Sequence, residues 1–145
     1  MSVGRFEREE VQFQYPENWT VQEQTAELRQ LAVTVESPTG GFWSLQCLGS
    51  DIRPQQAADQ ALETMRAEYE QLEGEAVEEE CGGHVLLGYD IDFYCLDLVV
   101  QSRVRSFETN GKTYLLLCQA EDRDFVELRP VFAAITLSLT RDLRN

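Results

Sequence analysis

The chain has 145 residues, 43% hydrophobic and 26% charged, a globular balance that supports one substantial core and argues against wholesale disorder. Twenty-six acidic against twelve basic residues give a formal charge of -14. A field of that sign repels phosphate backbones and anionic headgroups, so nucleic acid and membrane surfaces are excluded as expected partners, while basic proteins, basic peptides and cations stay open.

The opening MSVGRFEREEVQF has no apolar region or small-residue cleavage site of the signal-peptide kind. No apolar run approaches the roughly 20 residues that span a bilayer, and a cytoplasmic setting is expected. Cys47, Cys81, Cys95 and Cys118 are far apart, with no CxxC pair; in a reducing compartment they read as small core residues. Internal repeats and Gly/Ser- or Pro-rich linkers are absent from the sequence, which predicts a single domain over 1–145.

In chain order, VQFQYPENWTV alternates with period two, placing Val11, Phe13 and Tyr15 on one side of a strand before a turn at Pro16-Glu17-Asn18. RQLAVTVES puts Leu31, Val33 and Val35 on one face. FWSLQCL does the same with Trp43, Leu45 and Cys47 after a Ser-Pro-Thr-Gly-Gly turn, so the two predict an antiparallel pair. Both tryptophans, Trp19 and Trp43, suit core packing.

From Pro54 to Leu72 the period changes. Ala58, Ala61, Leu62, Met65, Tyr69 and Leu72 form one apolar helical stripe, with Ser50 or Asp51 as cap, Pro54 in the first turn and Gly74 as C-terminal cap. EAVEEEC predicts a short edge strand whose outward glutamates discourage further pairing. The five glutamates between Glu73 and Glu80 read as a solvated face.

Two long strands and a hairpin follow. Asn110-Gly111 supplies both positive φ angles of a type I′ turn, which pairs Phe107 with Tyr114 and Val104 with Leu117. The closing DRDFVELRPVFAAITLSL reads as helix, with Asp124 and Glu127 at capping-box spacing and Pro130 predicting a kink or two shorter helices. Strands and helices in this order define an α+β class built on an antiparallel sheet.

CGGHVLLGYDIDFYC, residues 81–95, raises the question of a metal site, because it holds His84 between two cysteines. Along an unbroken strand at about 3.3 Å per residue, His84 and Cys95 lie ~36 Å apart, too far to share an ion. Val85, Leu87, Tyr89, Ile91, Phe93 and Cys95 alternate on one side, and His84 points to the other. No metal and no cofactor is expected. A turn at Cys95-Leu96 would set Phe93 against Leu98, Ile91 against Val100 and Leu87 against Val104, although Cys-Leu suits a type I′ turn poorly and a longer or bulged turn competes.

The opposite face carries His84, Leu86, Gly88, Asp90 and Asp92 beside Gln101, Arg103, Arg105 and Phe107. His84, Asp90, Asp92, Arg103 and Arg105 are therefore the candidate partner-binding face. Asp90 and Asp92 could dock a basic partner or hold a cation weakly. Alternatively, Arg103 and Arg105 neutralise them within a sheet face half covered by helix. Catalysis has little support: one histidine after a Gly-Gly turn has no nucleophile set beside it, and no HExxH, P-loop or dinucleotide fingerprint occurs.

Three stretches resemble the PsbP-like superfamily, which also takes in Ran-binding nuclear import factor relatives and effector-associated chaperones of type VI secretion. They are FQYPENWTV, similar to the family's apolar strand, Tyr-Pro turn and tryptophan; the amphipathic helix inserted among the strands; and the ending FVELRPVFAAITLSL, similar to its closing helix. The resemblance implies an antiparallel sheet of six or seven strands with helices packed on both faces and a binding role, with no catalytic motif to carry over. The expectation is thus a non-enzymatic cytoplasmic protein-binding or adaptor domain acting on another protein, its oligomeric state open. The alternatives are a chaperone for an apolar client segment and a cation-dependent hydrolase using Asp90 and Asp92.

Overall fold

The structure is a computed structural model and describes residues 2–25 and 31–143. Its elements run β1(Val3–Arg8), β2(Val11–Pro16), β3(Thr20–Thr25), β4(Leu31–Glu36), β5(Phe42–Gly49), α1(Pro54–Glu68), β6(Glu73–Cys81), β7(His84–Cys95), β8(Leu98–Thr109), β9(Lys112–Glu121) and α2(Asp122–Asp142). Strands β3 to β9 form one antiparallel seven-stranded sheet in the order β3-β4-β5-β9-β8-β7-β6, and β1 and β2 form a separate hairpin. The α+β class is as the element order predicts, and the seven strands with a helix on each face are as the resemblance implies.

Where alternation was strong, register follows it. Val35 pairs with Trp43 and Val33 with Leu45, while Phe107 pairs with Tyr114 and Val104 with Leu117 across Asn110-Gly111. Arg29 and Gln30, which begin the predicted β4 stretch, lie outside the described residues.

The β7–β8 register moves by two residues from the one proposed. The turn is Leu96-Asp97, both at positive φ (50° and 67°), so Phe93 faces Val100, Ile91 faces Ser102 and Leu87 faces Ser106. Two residues at positive φ make the tight turn, and Asp accepts that region far better than a β-branched residue does. A two-residue shift keeps every side chain on its face. It also sets buried Ser102 opposite Ile91, and among the described residues the Ser102 hydroxyl has no hydrogen-bond partner.

The helices differ from expectation at their ends. Helix α1 stops at Glu68, with Tyr69 extended, and Gly74 lies inside β6 opposite Ile91. Arg53, making no side-chain cap, precedes Pro54 at the N-terminus in place of Ser50 or Asp51. Strand β6 is an edge strand as predicted, but it is nine residues long. Helix α2 starts after Glu121, so Asp124 lies in its first turn and no capping box forms. Thr39 donates instead to the Asp124 carboxylate at 2.7 Å.

Helix α2 continues through Pro130 as one element. Proline removes the N–H that would bond the Val126 carbonyl, but Pro130 and Val126 both face solvent, where water can replace the lost bond.

The core has two parts on opposite faces of the sheet. On one, α2 and the β1–β2 hairpin bury Phe13, Trp43, Leu45, Leu86, Phe107, Leu116, Phe132, Ile135 and Leu139. On the other, α1 buries Ala58, Leu62 and Met65 against Ile91, Phe93 and Val104. Tyr69 stacks on Phe93 with ring centres 4.1 Å apart. The Tyr89 hydroxyl donates to Asp59 at 2.5 Å, tying α1 to β7.

Candidate functional site

The five face residues divide into three environments. His84 opens β7 immediately after Gly82-Gly83, both at positive φ, and faces Cys81 across the hairpin. Its ring is buried edge-on against Phe107 at 5.3 Å, and Nδ1 lies 3.2 Å from the Gly82 carbonyl. It packs there as a core residue.

Arg105, Asp90 and Arg103 form a network. Arg105 faces Gly88 and Arg103 faces Asp90 on the neighbouring strand. Gly88 is needed at its position, because a Cβ there would overlap the Val104 carbonyl. The Arg105 side chain is 8% exposed and holds Glu79 at 2.8 Å and Asp90 at 2.7 Å. It also donates to the Val104 carbonyl at 2.9 Å. Burial opposes its charge, and the bonds to Glu79 and Asp90 more than offset this, so the guanidinium is held above its ordinary value. Arg103 stands 3.7 Å from the other Asp90 oxygen and lies over the Phe125 ring of α2 at 4.9 Å.

Asp92 is the third environment. It is exposed, and among the described residues it makes no ion pair. It faces Glu73 on β6 and Gln101 on β8, and Gln101 donates to Asp122 at the start of α2. Partial burial, then the Asp122 and Glu73 carboxylates, push its carboxyl above the usual range despite Arg103 nearby. The face is thus closed at His84, neutralised at Asp90 and open at Asp92.

A groove the sequence did not single out lies on the other face. Helix α1 covers β7 and β8, and beside it the outward sides of β5 and β9 remain open. The resulting space of about 480 Å³ is floored by Phe42, Leu115 and Leu117 and walled by Ala61, Met65 and Tyr69. Ser44, Gln46, Gln60 and Gln119 supply uncharged polar groups, and Glu68 is the acidic residue of its lining. Its apolar residues share the periodicity of core residues, and only the offset of α1 across the sheet leaves them uncovered.

Among the described residues, the groups with shifted titration or close polar contacts outside that face are held in fixed pairs or buried. Glu10 accepts from Lys112 at 2.6 Å and from the Tyr114 hydroxyl at 3.1 Å, so that carboxylate is already committed. The Cys118 thiol is pushed up to about 12 by burial and stays protonated. All four cysteines are free. Among the described residues no group of three or more His, Cys, Asp or Glu side chains could hold a metal, and no helix is long and apolar enough to cross a membrane.

These features define a class: an antiparallel sheet with a helix on each face, one side closed and the other grooved. Solved structures share the sheet-and-helix fold. The cyanobacterial PsbP of Synechocystis sp. PCC 6803 matches with a TM-score of 0.71 at 14% identity, over 94% of this chain and 91% of that one. PA94 of Pseudomonas aeruginosa, a protein of unknown function, matches with a TM-score of 0.54 at 13% identity, over 94% and 95% of the two chains. The fold is PsbP-like, as the sequence resemblance implied. No protein-family model matches the chain, and no curated protein matches it by sequence.

Proposed function

We propose that this chain is a non-enzymatic protein-binding domain that holds an apolar segment of another protein in the groove beside α1. The observation that carries the reading is the groove itself: an open apolar floor with uncharged polar groups along it and no set of titratable residues aimed at a common point. The net charge of -14 favours a segment with basic flanks. The alternative hydrolase reading is not favoured, because Asp90 is engaged by Arg105 and Arg103. A domain that only shields a client segment needs affinity and release, and neither requires a reacting group.

The test uses a synthetic leucine–alanine peptide flanked by lysines, titrated into the labelled full chain. Amide shifts should concentrate on Phe42–Leu48, Lys112–Gln119 and the groove side of α1. Ala61→Glu and Phe42→Glu, which place charge on the wall and on the floor of the groove, should each weaken binding by about tenfold or more while the fold is retained. Shifts confined to the acidic edge strand, or affinity unchanged in both variants, would sink the proposal.

A further inference from the structure

The β7–β8 hairpin outruns both its neighbours. Pairing of β6 begins at Glu73 opposite Asp92, and pairing of β9 ends at Glu121 opposite Val100. From Phe93 to Val99, therefore, no other strand among the described residues pairs with the hairpin on either side. This two-stranded tip concentrates exposed apolar side chains: Tyr94 at 55%, Leu96 at 92% and Leu98 at 46%. Leu96 stands at the turn itself, at positive φ, where a polar residue or glycine would serve the turn better.

Beside the tip, where β6 starts, lies an open hollow of about 540 Å³ lined by Leu72, Glu73, Asp92, Tyr94 and Val99. Glu73 and Asp92 face each other directly across the ladder, a like-charge pair that disfavours the isolated sheet. Asp97 adds a further carboxylate in the turn. A free strand edge, apolar side chains and unneutralised carboxylates thus meet at one end of the sheet.

We propose that this tip is a second docking surface, distinct from the α1 groove, which pairs with an extended segment of another protein carrying a lysine or arginine among apolar residues. The segment would lie along the free edge of β7 beyond Glu73. Its backbone would extend the ladder, its apolar side chains would cover Tyr94 and Leu96, and its cation would sit between Glu73 and Asp92. Charge selects the occupant. A second copy of this chain would set the same carboxylates against each other, and an anionic lipid surface would be repelled.

The probe is a short alternating lysine–valine peptide, with a glutamate–valine peptide of equal length as control, titrated into the full chain at moderate salt. The lysine–valine peptide should shift and protect amides of Phe93–Val99, and the glutamate–valine peptide should not bind. Tyr94→Ser with Leu96→Ser should cost about tenfold or more in affinity, since both side chains are exposed and their loss leaves the core intact. Asp92→Asn should also weaken binding, while Ala61→Glu in the groove should leave it unchanged. Equal binding by the tip double variant, or shifts spread over every acidic surface, overturns the proposal as mere charge attraction. Self-association of the wild type that the tip variant abolishes overturns the choice of occupant.

Discussion

The two faces of the sheet are covered to different degrees by similar means. On one, α2 and the β1–β2 hairpin meet over the strands, and aromatic rings fill the space between them: Phe13 lies 4.7 Å from Trp43, and Trp19 lies 5.9 Å from Phe132. Polar groups there are spent on closure. Trp43 Nε1 donates to Thr136 at 3.0 Å, and the Gln14 backbone N–H donates to Ser138 Oγ at 2.9 Å. On the other face α1 works alone, and its fifteen residues are too few to cover seven strands. The difference teaches that an open binding surface can arise from how many elements share a face, without any change in how apolar the strands are.

The contrast can be broken most severely from the closed side. Trp43→Ala should cost about 3–5 kcal/mol, because it removes a fully buried indole and orphans its hydrogen bond. Urea denaturation followed by far-UV circular dichroism measures this, and a loss below about 1 kcal/mol would show that the face is not packed as described. Asp90→Asn should cost about 1–2 kcal/mol by depriving the buried Arg105 of one of its two carboxylates. Glu79 keeps the other contact, so the double variant with Glu79→Gln should lose more than either alone.

On the open side, Phe42→Glu should cost less than about 1 kcal/mol, since Phe42 lies at the groove with part of its surface in water. Stability as sensitive there as at Trp43 would erase the difference between the faces.

The smallest effect concerns Asp92. Its native carboxyl titrates above the ordinary value, so the native state binds its proton more tightly than the unfolded chain does. Stability from this group is therefore highest in acid and falls as pH rises through the carboxylate range, leaving a small deficit at neutral pH. Asp92→Asn should raise the melting temperature slightly at pH 7 and leave it unchanged near pH 3, where the wild-type carboxyl is protonated. A destabilised Asp92→Asn at neutral pH would mean that the carboxylate has a favourable partner.

Much of the fold is legible before any tertiary contact. Alternation in LAVTVE and FWSLQCL identifies the β4–β5 pair, and Asn110-Gly111 sets the β8–β9 register, because the turn geometry needs just those two residues. The strands β1 and β3 escape notice. VGRFER and TVQEQT carry too little alternation, since one packs only Phe6 deeply and the other is an outer edge. In the candidate face, parity places His84, Asp90, Asp92, Arg103 and Arg105 together correctly. It is silent on Glu79, whose bond to Arg105 depends on a neighbouring strand, and its run of glutamates looks like any solvated surface.

By itself, then, the sequence determines which residues share a face, because side-chain direction along a strand depends only on parity. It also determines that the chain is strongly acidic and carries a helix between strands. Only the tertiary structure decides what each face meets. The same parity puts His84 under cover, Asp90 against an arginine and Asp92 in water, because Phe107 packs on His84 while Arg103 and Arg105 reach Asp90, contacts made by other strands that the pattern along β7 does not encode. Likewise Phe42, Leu115 and Leu117 read as core residues from their spacing. They line an open groove because α1 settles over β7 and β8, where Ile91, Phe93 and Val104 give it apolar surface to bury.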